Sequence, residues 1–121
     1  MSRQKKKTPF PSWTTKTSNG IERRYIRIGN SLMLSKVYQM LSNSAKVIYS
    51  YMLLESGSSR EFEFTASIYL KLMSRDTFFK ARNELIEKGF IEIKQNNANI
   101  RKANVYAFSE AWKEKDKEER G

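Results

Sequence analysis

The stretch that most constrains this 121-residue chain begins at Ser74, where a capped amphipathic helix turns at a glycine straight into an alternating strand. Ser74 stands where a hydroxyl can accept an N–H of the first helical turn, and Asp76 lies in that turn, where negative charge suits the helix dipole. Phe78, Ala81 and Leu85 recur at i, i+3 and i+7, with Ile86 beside them, so one face is apolar. This spacing predicts a helix over 75–88. Gly89 ends it, since glycine readily takes the left-handed conformation beyond a helix C-terminus. Phe90-Ile91-Glu92-Ile93-Lys94 then alternates as a half-buried strand does. Asn96-Asn97-Ala98-Asn99 supplies a turn, and Val105-Tyr106-Ala107-Phe108 reads as the returning strand. A helix feeding directly into a hairpin must be covered from upstream.

The upstream elements are legible in the same way. Tyr25-Ile26-Arg27-Ile28 contains the alternation of a short strand, and Gly29-Asn30 follows as a turn. Residues 31–41 place Leu32, Leu34, Val37, Tyr38 and Leu41 at roughly helical spacing. Ser42 then caps the strongest core helix, with Val47, Ile48, Tyr51, Met52 and Leu54 as its apolar set and Ser56-Gly57 as its stop. Glu61-Phe62-Glu63-Phe64 is a short alternating strand. Thr65 caps a helix reaching about Lys71 that buries Ile68 and either Tyr69 or Leu72. The aromatics Tyr49, Tyr51, Phe62, Phe64, Phe78, Phe90, Tyr106 and Phe108 alternate or follow a helical stripe, which places most of them in a core instead of on a stacking platform for single-stranded nucleic acid. The whole is α+β, with residues 23–109 as the folded domain, 1–22 as a disordered basic arm and 110–121 as a charged tail or fraying helix. Phe10 and Trp13 are the arm's only aromatic side chains and could anchor it to the domain or to a partner.

Composition narrows the chemistry. The chain has no cysteine and no histidine, so disulfides, thiolate metal sites and imidazole bases are excluded. The remaining acids lie at helical surface spacing or interleave with lysine, and an enzyme is not expected. No apolar run approaches the roughly 18 to 20 residues of a membrane span. The basic start lacks the apolar region of a secretory signal. The expectation is a soluble cytoplasmic protein without cofactor or metal. Net charge is +10, and residues 1–27 hold eight basic side chains against one acid. Such a field favours a polyanionic partner and salt-sensitive association.

The order helix, short strand, short helix, turn, longer helix, hairpin is that of a winged helix-turn-helix. The Ser74-Arg75-Asp76-Thr77 helix start, Glu84-Leu85 within it and Glu87-Lys88-Gly89-Phe90-Ile91 at its exit resemble the recognition helix and first wing strand of that family. Leu41-Ser42-Asn43-Ser44-Ala45-Lys46-Val47-Ile48-Tyr49 is similar to the first core helix of winged-helix proteins from plasmids, phages and conjugative elements of Gram-positive bacteria. The likeness covers about residues 24–108. It implies a winged helix of three to four helices, a small antiparallel sheet and a β-hairpin wing. It further implies a double-stranded DNA-binding protein of a mobile element, serving transcription regulation or DNA replication initiation. Arg82 departs from the aliphatic residue usual in the family, and Lys71-Leu72-Met73 lacks the common turn glycine.

On this reading Arg75, Thr77, Phe79, Lys80 and Asn83 lie on the helix side away from the core or at its margins. Arginine and lysine can reach guanine O6 and N7, asparagine can bind adenine, and Ser74 and Thr77 suit phosphates. Lys94, Arg101 and Lys102 flank a wing tip that includes Asn97 and Asn99, and Lys5, Lys6 and Lys7 would follow phosphates from the arm. The alternative is a protein-interaction module of the same shape, to which Glu61, Glu63, Glu84, Glu87 and Glu92 lend weight. A homodimer fits either reading, although no long coiled-coil seam enforces one.

Overall fold

A three-stranded antiparallel sheet, with the last strand of the chain in the middle, closes one side of a bundle of short helices. The computed structural model describes residues 26–100 and 102–120. In chain order these form α1 (Asn30–Met33), α2 (Lys36–Gln39), α3 (Asn43–Ser56), β1 (Glu61–Glu63), α4 (Ala66–Tyr69) and α5 (Arg75–Glu87). Then follow β2 (Ile91–Gln95), a 3-10 turn (Ala98–Ile100), β3 (Val105–Phe108) and α6 (Trp112–Arg120). The arm, with Lys5, Lys6, Lys7, Phe10 and Trp13, and Arg101 in the hairpin loop lie outside the described residues.

The sheet pairs Phe62 with Tyr106 across β1–β3, and Ile93 with the same Tyr106 across β2–β3. A bulge between Ile93 and Gln95 shifts the register toward the hairpin loop. Ser42 and Ser74 are the side-chain caps expected of them: their hydroxyls accept the backbone N–H of Ala45 and Thr77. Phe78, Ala81 and Leu85 are the buried stripe of α5, as the periodicity predicts. They meet Ala45, Ile48, Tyr49 and Met52 of α3 in one core cluster with Phe62, Phe64, Phe90, Ile91 and Tyr106. Phe90 sits fully buried at its centre, edge-on to Tyr49 at 5.5 Å and stacked on Trp112 at 5.8 Å. Burial, with Tyr38 nearby, pushes the Tyr49 phenol up to about 12, so it stays protonated in any ordinary buffer.

Four expectations are corrected by this packing. Residues 26–28 form no strand. The helix expected over 31–41 is two short helices, because Ser35 is extended (ψ 146°) and wholly buried, its hydroxyl donating to the Leu32 carbonyl and accepting from the Tyr38 N–H. Leu34 consequently faces solvent. On α3 the buried face is rotated from the expected one, leaving Val47 and Tyr51 exposed while Ala45 and Tyr49 go inward. Thr65 begins α4 without a side-chain cap, its hydroxyl meeting Ser67 instead; Tyr69 is buried, one of the two alternatives expected, while Ile68 is only half-buried. The α4–α5 turn needs no glycine because every residue in it has negative φ, and its N–H groups bond back to Ile68 and Tyr69.

The largest departure is at the C-terminus. Residues expected as a tail or fraying helix form α6, which docks on α2 and places Trp112 in the core. The Trp112 N–H donates to the Gly89 carbonyl at 3.0 Å, and the Ser109 N–H to Phe90 at 2.9 Å. Asp116, also buried, accepts the backbone N–H of Lys36 at 2.7 Å and of Val37 at 3.3 Å. A carboxylate from 80 positions downstream thus satisfies the first orphan donors of α2. With α6 and the split first segment, the described residues hold six α-helices instead of the three to four expected.

Candidate functional site

Helix α5 is held on two sides and open on the third. Its 13 residues span about 20 Å. The stripe Phe78, Ala81, Leu85 seals one face against α3. At 100° per residue, the solvent pole is then occupied by Asp76, Lys80, Asn83 and Glu87. All four are exposed, as is Arg75. Thr77 and Phe79 are half-buried at the two margins. The structure therefore leaves Lys80 and Asn83 on one accessible face with two carboxylates beside them, and Arg75 exposed at the start of the helix.

Ser74 and Thr77, assigned to phosphates from the sequence, are bound to each other: the Ser74 hydroxyl donates to Thr77 Oγ1 at 2.9 Å while accepting its N–H. Their first task is the helix cap. Glu84, which the sequence offers as an acid on the recognition surface, instead faces α3. Its carboxylate accepts the Ser42 N–H at 2.8 Å and the Ser42 hydroxyl at 2.7 Å. This is the reciprocal half of a capping box, supplied from another helix. It fixes the α3–α5 crossing and removes one acid from the open face.

Arg82 was the residue out of pattern, and its geometry explains how it fits. The guanidinium lies 4.7 Å from the Phe79 ring centroid, and its Nε and Nη2 both donate to Asn83 Oδ1, at 3.2 and 3.0 Å. Phe79 in turn packs against Phe78 and Tyr69, and Tyr69 stacks on Phe78 at 3.8 Å. An aromatic ladder thus runs from the core out to a surface arginine. Sequence reasoning left Arg82 aside, though the Phe79–Arg82 i, i+3 spacing carried the signal for the stack.

The described residues of the hairpin loop, 96–100 and 102–104, are tied across by hydrogen bonds centred on Asn97. The Asn97 amide donates to the Ala103 carbonyl at 2.8 Å, and its backbone N–H to Asn104 Oδ1 at 2.8 Å. The Ile100 and Lys102 N–H groups both reach the Asn97 carbonyl. Asn97, placed on the DNA-contacting tip by the sequence, is therefore the strut that shapes the loop. Asn96, Asn99, Ile100 and Lys102 are exposed among the described residues of that loop, with Ile100 61% accessible. Ile100 is the second residue the sequence reading overlooked; a lone large aliphatic in a polar loop was its signal. Lys94 stands back on β2, paired with Glu92 at 3.4 Å.

A separate open cleft of about 820 Å³ lies between the start of the described chain, the end of α3 and β3. Arg27 and Arg60 are its charged residues, and no carboxylate lines it. Among the described residues no group of three or more His, Cys, Asp or Glu could hold a metal, and no helix is long and apolar enough to cross a membrane. No protein-family model, no curated protein and no solved structure matches this chain.

Proposed function

We propose that this protein is a winged helix-turn-helix that binds double-stranded DNA in a sequence-reading mode, with α5 as the recognition helix and the β2–β3 hairpin as the wing. One observation carries the reading. A helix long enough to cross a major groove about 12 Å wide is sealed by one stripe and offers Arg75, Lys80 and Asn83 on the other, with an ordered hairpin directly behind it. The sheet order and the net charge of +10 agree with it. Lys102 and Asn99 of the wing tip are the loop's candidates for backbone or minor-groove contact. The arm would add sequence-independent affinity through Lys5, Lys6 and Lys7, and Arg101 would join the wing. The process served is transcription regulation or replication initiation on a mobile element, as the family resemblance implies.

A second reading, a protein-interaction module, is favoured by Asp76 and Glu87 at the solvent pole of α5, where they would repel phosphates. Substitution separates the two. The double variant Arg75→Ala with Lys80→Ala will bind a mixed-sequence duplex at least about tenfold more weakly at low salt, and its log K against log salt slope will be shallower by about 2. Fluorescence anisotropy over a salt series measures both quantities. Unchanged affinity and slope would leave only the arm on the DNA and favour the protein partner.

A further inference from the structure

We infer that Arg82 converts Asn83 from an adenine reader into part of a donor-only head that selects guanine, an inference that rests on the DNA reading of α5. An asparagine side chain by itself offers one acceptor and one NH₂ donor group, which matches adenine N6–H and N7 in the major groove. Here the acceptor is already taken. Oδ1 receives both Nε–H and an Nη2–H of Arg82, at 3.2 and 3.0 Å, which uses both of its lone pairs. The same contact fixes the amide orientation, because the opposite one would set NH₂ against N–H.

What the pair then shows to solvent is uniform in sign: the amide NH₂ of Asn83 and the remaining N–H groups of a guanidinium, all donors. Guanine presents two acceptors on its major-groove edge, O6 and N7, whereas adenine presents one acceptor and one donor. The head therefore matches guanine and opposes the adenine N6 amino group.

Two features keep it in place. The Phe79 ring lies under the guanidinium at 4.7 Å, and the ring is itself wedged against Phe78 at 5.5 Å and Tyr69 at 6.4 Å. Arg82 is half-buried at the helix margin while Asn83 stands exposed at the pole, so the pair leans from the flank onto the open face. Planarity matters here. A lysine at 82 could neither stack in this manner nor donate twice to one oxygen along a fixed fork.

The test selects duplexes from a randomised pool with the 121-residue chain, Asn83→Ala, Arg82→Met and Arg82→Lys, each checked for its folded spectrum by NMR. The position whose preference is lost in Asn83→Ala is the one the pair reads. Wild type will prefer guanine there. Arg82→Met exposes Oδ1 and will move the preference to adenine, a change of roughly tenfold or more in the guanine-to-adenine ratio. Arg82→Lys will relax the ratio while retaining affinity better than Arg82→Met. Adenine preferred by the wild type, or guanine retained by both Arg82 variants, overturns the pair's role and leaves α5 as a DNA reader. A wild type that enriches no sequence overturns the DNA reading itself, and the pair's role with it.

Discussion

Replacing Gly89 with alanine will destabilise the domain by about 3 kcal/mol, a large share of the roughly 5–15 kcal/mol that holds a small domain folded. Two independent causes act at this position. Its φ is +86°, in the half of backbone space where a Cβ meets its own chain. The added carbon would also lie 2.6 Å from the Trp112 backbone nitrogen and 2.8 Å from the Ala111 carbonyl carbon. Both obstacles are main chain, so no rotamer change removes them. Relief requires α6 to move away, which lengthens the 3.0 Å bond from the Trp112 N–H to the Gly89 carbonyl. Urea unfolding followed by circular dichroism measures the loss. A shift below about 0.5 kcal/mol would mean that α6 is not seated on this turn.

Trp112→Ala will cost about 3–5 kcal/mol, the range for truncating a large buried aromatic. Its indole is 7% exposed and stacked at 5.8 Å, within 5° of parallel, on Phe90, the residue around which Tyr38 and Tyr49 also gather. The consequence extends beyond the cavity, because α6 also carries Asp116 to the N-terminus of α2. Hydrogen exchange at the Lys36 and Val37 amides will accelerate in the variant by more than the global stability change explains. A tail in solvent would show neither effect, and a loss near zero would restore that picture.

The sequence made the α5–hairpin unit readable because its signals are local. Ser42 and Ser74 cap helices a few residues away, Gly89 ends one, and alternation over 90–94 announces a strand within a residue of its observed bounds. What stayed hidden depends on partners distant in sequence. Helix α3 is apolar on more positions than one face can bury, so α5 and the sheet decide that Tyr49 goes in and Tyr51 stays out. The break at Ser35 is stabilised by its own buried hydroxyl and by Asp116, which no local pattern in 31–41 could reveal. Trp112 was visible as an aromatic within a charged segment, but its partner Phe90 was not.

The candidate site divides along the same line. Arg75, Lys80 and Asn83 followed from helical phase alone. The roles of Thr77, Glu84 and Asn97 did not, because side chains of these types are equally suited to ligands and to backbone groups, and here they join a helix cap or brace a loop.

The central claim, that α5 and the wing dock on a duplex, is tested most directly by titrating isotope-labelled protein with a short mixed-sequence duplex at about 50 and 200 mM salt. Amide shifts centred on residues 74–83 and on 96–102, weakening at the higher salt, are the predicted result. Shifts confined to residues 1–24, with α5 and the hairpin unmoved, would contradict it and leave the basic arm as the protein's only hold on nucleic acid.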